Sequence, residues 1–286
     1  MHRHALNLSA AAASIGVALT LVALKGWAQI ETGSLAIAAS LVDSVLDLMV
    51  SLANLAALRY AARPADADHR FGHAAAEDIA ALAQAAVVSL SALWIAASAA
   101  GRLVAPAPLE AEGLGLAVIV ASLALTGGLV WWQDRVAART GSKVIRADMA
   151  HYLSDFLPLA AAMVALGGSR LLGAHWLDPA LALAAAAWIL RTGLVIGRGA
   201  WDGLMDREAP AETVARIATM ADAAEGLRGW HDLKTRTSGT KLFVQIHVEI
   251  DGRLPLRQAH AIGERLRRDI LALGEDVDVI VHKDPV

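Results

Sequence analysis

Three stretches of twenty or more residues carry no charge at all: Ala5–Leu24, Ile79–Gly101 and Gly113–Gln133. About 20 apolar residues in a helix cross the hydrocarbon core of a bilayer, whereas a helix on a soluble core keeps one polar face. These runs therefore read as membrane spans. Three more follow the same grammar with a few charges inside. Thr32–Leu58 holds Asp43 and Asp47, Ala147–Ser169 holds Asp148, His151 and Asp155, and Pro179–Leu190 continues past Arg191 to Gly197. Six helices are expected to span. Arg191 reads as a side chain snorkelling to an interface or packing inside the bundle.

Composition agrees. Of 286 residues, 56% are hydrophobic and 19% charged, against about 45–50% apolar in a soluble domain. Cysteine is absent, which excludes disulfides and thiolate metal sites. A net charge of −3 lacks the footprint of a nucleic-acid binder. Met1, His2, Arg3 and His4 lead into the first run with no Ala-x-Ala-like cleavage pattern, so that run is expected to be retained.

Lys and Arg in short loops set orientation. Arg59, Arg63 and Arg70 follow the second span; Arg135, Arg139, Lys143 and Arg146 follow the fourth. The opposite loops are poorer, with Lys25, Arg102 and Arg170 near span ends. Both termini are expected on the cytoplasmic side.

The grammar changes after Trp201. Residues 206–286 hold 12 Lys/Arg and 14 Asp/Glu. Pro210–Ala223 has helical periodicity, Trp230–Thr237 and Lys241–Ile250 read as strands around a Ser238-Gly239 turn, Leu256–Leu273 as an amphipathic helix, and Val277–His282 as a last strand. Helix–strand–strand–helix–strand is a small α+β domain of ferredoxin-like type. The expected fold is thus a six-helix transmembrane domain over 1–205, then a cytoplasmic domain over 206–286.

An Asp in mid-bilayer costs at least about 2.5–3.5 kcal/mol on the insertion scale. Asp43 and Asp47 are four residues apart and share a helical face. Two anions on one face repel unless a cation joins them. His151 and Asp155 repeat the spacing in the fifth span. Three carboxylates and one imidazole suit a tetrahedral divalent metal such as Zn²⁺. Asp148, beside Arg146, reads instead as a charge at a helix end near the membrane edge. Elsewhere, Asp66, His69 and His73 have the chemistry and spacing of a loop metal site, with Asp68 an alternative ligand. The terminal domain carries His231, His247, His260, His282 and Asp284. His247 points opposite to the apolar alternation of its strand, and β-pairing can gather His231, His247 and His282.

The pattern Asp43-x-x-x-Asp47 and His151-x-x-x-Asp155, on six spans followed by an αββαβ domain, resembles the cation diffusion facilitator family. Phe71-Gly72-His73, Arg146-Ala147-Asp148-Met149, Gln245-Ile246-His247 and Asp284-Pro285 are most similar to its bacterial zinc/ferrous-iron efflux branch. The resemblance implies a homodimer in the bacterial inner (cytoplasmic) membrane that exchanges cytoplasmic metal for protons. It implies a transport site on Asp43, Asp47, His151 and Asp155, and a loop zinc site on Asp66, His69 and His73. It also implies a binuclear site on His231, His247, His260, His282 and Asp284 at the contact between two terminal domains. Zn²⁺ is expected as transported and structural ion, with Cd²⁺, Fe²⁺ or Mn²⁺ as further substrates. One departure stands out: family members carry a Lys two residues after the loop His, pairing with an Asp after the sixth span to lock the dimer. Here those positions are Ala75 and Asp206, with Arg70 or Arg207 as substitutes for the missing cation.

The reading is a transporter rather than an enzyme. A passive channel would use rings of carboxylate or carbonyl without imidazole. An intramembrane metallohydrolase would keep an open water position and a separate base. A membrane-anchored sensor would have no use for intramembrane Asp pairs.

Overall fold

A computed structural model describes residues 2–32, 35–104, 113–172, 177–274 and 276–286. Arg102 and Arg170, counted above toward orientation, have side chains outside the described set. Contacts divide the chain into two compact units, His2–Ala200 and Trp201–Val286.

The first unit is built of long helices: α1 (His2–Thr32), α2 (Leu35–Ala61), α3 (Ala75–Val104), α4 (Gly113–Thr140), α5 (Lys143–Leu172) and α6 (Leu177–Leu204). Among the described residues, all but α5 contain a window long and apolar enough to cross a bilayer. The charges of α5 lower its hydropathy, yet at 30 residues it matches its neighbours in length. Its Pro158 lacks an N–H, so the carbonyl of Ser154, beside Asp155, loses its helical partner. Small residues line the packing seams, as van der Waals packing in lipid favours. Ala81, Ala85, Ala92, Ala137, Ala147 and Ala150 are all buried in one cluster. At Gly193 of α6 a Cβ would sit 2.6 Å from Ser89 Oγ of α3, so glycine sets that close approach.

The second unit continues with α7 (Ala211–Asp222), β1 (Gly229–Ser238), β2 (Lys241–Ile250), α8 (Leu256–Leu271) and β3 (Val277–Pro285). This is the αββαβ order of the sequence. β1 and β2 form an antiparallel hairpin, and β3 pairs parallel to β2 after the α8 crossover, so β2 is central. Gly239, at φ 55, takes the left-handed turn position of the hairpin. Val244, Ile246, Val248 and Ile250 point to one face and bury against Ile217 of α7 and Ile262, Leu266 and Ile270 of α8. Alternation sends Phe243, Gln245, His247 and Glu249 to the other face.

Asp206, expected as half of a charge lock, is bound within this unit. Its Oδ1 accepts from Arg236 Nη1 of β1 at 2.8 Å, and its own backbone is left-handed at φ 56. Arg207 pairs back to Asp202.

Candidate metal centres

Charge placed on a helix in lipid must find a partner inside the bundle. For Asp47 of α2 and for His151 and Asp155 of α5 it does. Asp47, His151 and Asp155 each offer a ligand atom, and the three atoms lie within 4.8 Å of one another. His151 Nε2 is 3.1 Å from Asp47 Oδ1. Zinc–ligand bonds of about 2.0–2.1 Å put tetrahedral ligand atoms about 3.3 Å apart, so this pair has the spacing of two ligands on one metal. His151 Nδ1 is buried without a hydrogen-bond partner. Asp47 and Asp155 open onto a cavity that also touches Lys25, Ser122, Thr126 and Tyr152. Asp43, one turn from Asp47, is exposed and lies outside the group of three.

Asp148 is not an edge charge. It is 1% exposed and takes a hydrogen bond from each of four other helices. Asn54 Nδ2 donates to Oδ1 at 2.8 Å and Gln84 Nε2 at 3.3 Å; Ser14 Oγ and Gln133 Nε2 each donate to Oδ2 at 2.6 Å. Four donors on two oxygens satisfy a group that can only accept. One turn on, Tyr152 Oη meets Ser51 Oγ at 3.0 Å and donates to the Ser14 carbonyl at 3.3 Å. This polar hub sits one helical turn from the cluster and fixes the rotation of α5 against α1–α4. Sequence spacing offered no clue to it beyond the unusual number of amides in apolar spans: Asn7, Asn54, Gln84 and Gln133.

The second cluster is in the α2–α3 loop. Asp66 Oδ1 accepts the backbone N–H groups of Asp68 and His69 at 3.0 and 2.7 Å, an Asx turn that fixes the carboxylate. His69 Nδ1 and His73 Nε2 approach the same carboxylate at 3.3 and 3.2 Å. The backbone N–H of His69, then that of Asp68, holds the Asp66 carboxyl below its usual range. His73 is buried, and its Nδ1 lies 3.3 Å from the Arg63 carbonyl; that contact selects the tautomer in which Nε2 is free to ligate. The three ligand atoms group within 4.8 Å. Asp68 contributes its backbone and is not in the group.

The third cluster comes from sheet register. His231 pairs with His247 on β2, and His247 with His282 on β3. The three imidazoles form a row on the face away from the helices, with centroids 5.1 and 4.6 Å apart. A bulge after His231, with Asp232 left-handed at φ 49, adds one residue to β1. It lets both His231 and Lys234 face outward, which strict alternation forbids. Asp284 closes the set: Oδ2 lies 3.0 Å from His247 Nδ1 and 3.3 Å from His231 Nε2, and Oδ1 lies 3.1 Å from His282 Nε2. The His247 hydrogen bond, with His282 and His231 adding their charge, holds the Asp284 carboxyl below its usual range. His231, His247 and Asp284 have ligand atoms within 4.8 Å. His260 is exposed on α8, in the helical layer, and is not brought to this row.

Residues 11–205 match the cation efflux transmembrane domain, and residues 209–286 match the cytoplasmic domain of cation efflux proteins. The chain belongs to the cation efflux family. Similar proteins include the cation-efflux pumps FieF of Klebsiella pneumoniae, 44% identical over 276 residues, and of Cronobacter sakazakii, 43% identical over the same length. Both alignments cover 96% of this chain and 92% of the relative. The FieF pump of Shewanella oneidensis is 41% identical over 277 residues, 97% of this chain and 93% of its own. As a family member this is a multi-pass membrane transporter that exports divalent metal cations, not an enzyme. Among the described residues, the clusters of α2 and α5, of the loop and of the sheet are the candidate groups for such ions.

Proposed function

We propose that the protein is a proton-coupled antiporter that exports zinc, with Cd²⁺, Fe²⁺ and Mn²⁺ as further substrates, by alternating access. The observation that carries this reading is the 3.1 Å separation of His151 Nε2 and Asp47 Oδ1 inside membrane helices. That spacing serves a shared proton and a tetrahedral metal equally. Ligands must be deprotonated to bind metal, so the two cargoes compete for the same atoms. Facing the cytoplasm, Asp47, His151 and Asp155 load metal, with Asp43 as the fourth ligand once α2 brings it in. Facing outward, protons take His151 and one or more carboxylates, and the metal leaves.

The loop cluster and the His–Asp row are read as zinc sites outside the transport path. The donor set of the row, three imidazoles and a carboxylate, suits Zn²⁺. The face carrying it is the one left uncovered by α7 and α8, which supports a homodimer with the row at the domain contact and His260 of a second copy completing it. Arg59, Arg63, Arg135, Arg139, Lys143 and Arg146 support a cytoplasmic placement of both termini, in a bacterial inner membrane. The transmembrane domain is taken as 1–205 and the cytoplasmic domain as 206–286.

Asp155→Ala tests the site. The purified variant, reconstituted in proteoliposomes, is expected to insert and dimerise normally yet lose metal-dependent zinc flux. Wild-type flux in that variant would refute the assignment.

A further inference from the structure

Lys25 was counted from its sequence position as a residue near the end of the first span. In the structure it lies inside α1, two turns before the last residue, Thr32, and it is turned onto α2 rather than toward an interface. Its Nζ donates to Ser44 Oγ at 2.7 Å and to the Ser40 carbonyl at 3.2 Å. Ser40, Asp43, Ser44 and Asp47 lie at i, i+3, i+4 and i+7 and so form one stripe of α2. Lys25 also lines the cavity onto which Asp47 and Asp155 open. An ammonium has thus been placed, half-buried, on the same cavity as the Asp47 and Asp155 carboxylates.

We infer that Lys25 is the tethered counter-ion of the transport site, setting its affinity for metal. The inference rests on the proposal that Asp47, His151 and Asp155 carry the cargo. Asp47 and Asp155 bring two negative charges to the cavity and Lys25 one positive charge, which lowers the net negative charge that a metal cation meets there. Lys25 also repels the bound metal. Its presence shallows the binding well, so that metal is released on each cycle rather than trapped. A residue that merely braces α1 on α2 through Ser40 and Ser44 does neither of these things.

The two roles predict opposite signs. The full chain, with the loop and sheet clusters disabled by His73→Ala and His247→Ala, is titrated with Zn²⁺ in nanodiscs at about pH 8, where proton competition is weakest. Lys25→Met is expected to tighten zinc binding by at least about tenfold, from the lost repulsion. In proteoliposomes the same variant should slow zinc exchange by at least about tenfold, because release becomes limiting. Lys25→Arg keeps the charge and should hold both quantities within about threefold of the parent. Unchanged or weaker binding by Lys25→Met, or loss of both quantities in Lys25→Arg, would overturn the counter-ion role. Asp155→Ala in the same background separates this failure from a deeper one: if zinc still binds there, the transport site itself has been misplaced.

Discussion

Replacing Asp148 by alanine removes the acceptor on which four helices converge. The cost follows from which donors keep a partner. Ser14 Oγ retains the Ala10 carbonyl at 3.1 Å, and Gln133 Nε2 retains Ser14 Oγ at 3.0 Å. Asn54 Nδ2 and Gln84 Nε2 lose the bond that they make to Asp148. A stranded buried donor costs about 1–3 kcal/mol, while interhelical hydrogen bonds in bilayers average nearer 0.6 kcal/mol. Two stranded donors and two weakened ones therefore sum to about 2–5 kcal/mol. Asp148→Asn should behave differently. Gln84 Oε1 and Gln133 Oε1 are both buried without partners, so a flip of either amide offers an acceptor to the new NH₂. The expected cost is below about 1.5 kcal/mol. Steric-trapping measurements of unfolding in bicelles check both values. An alanine cost below about 1 kcal/mol, or an asparagine cost equal to alanine's, would refute the hub as described.

Asp284 is held below the usual carboxylate range, so near neutrality it stays an ionised acceptor for the three imidazoles around it. Asp284→Asn should therefore weaken zinc binding to the sheet cluster by at least about tenfold at about pH 7.5. Calorimetry on the full chain with the loop and transport ligands replaced reads this, and unchanged binding would contradict it. His151→Asp exchanges a borderline ligand for a hard one. The preference among Zn²⁺, Cd²⁺ and Mn²⁺ in flux assays should move toward Mn²⁺, and an unchanged preference would show that the imidazole does not ligate.

How far the sequence reaches depends on what each residue's neighbours are. Asp47, His151 and Asp155 stand out because charge in an apolar helix has few explanations, and i, i+4 spacing says which share a face. The strands, the hairpin turn at Gly239 and the outward direction of His247 follow from period-two alternation. What alternation cannot supply is the bulge at Asp232, an extra residue that keeps His231 and Lys234 on one face. Nor does it say that α8 holds His260 in the helical layer. The two misread residues fail for one reason. Asp148 and Lys25 look like helix-end charges by position, and only the packing of α1 to α5 makes one a buried hub and the other a neighbour of the cluster. Asp206, read as half of a broken lock, pairs within the chain with Arg236 of β1, a contact that alternation does not foretell.

In the proposed mechanism protons and metal exchange at one intramembrane site. The most direct test loads proteoliposomes with equal zinc inside and out and imposes only a pH difference. Zinc should move toward the acidic side, building a gradient of its own, and Asp155→Ala should abolish the movement. Zinc that never leaves equilibrium, whichever side is made acidic, would show a passive pathway and contradict the exchange.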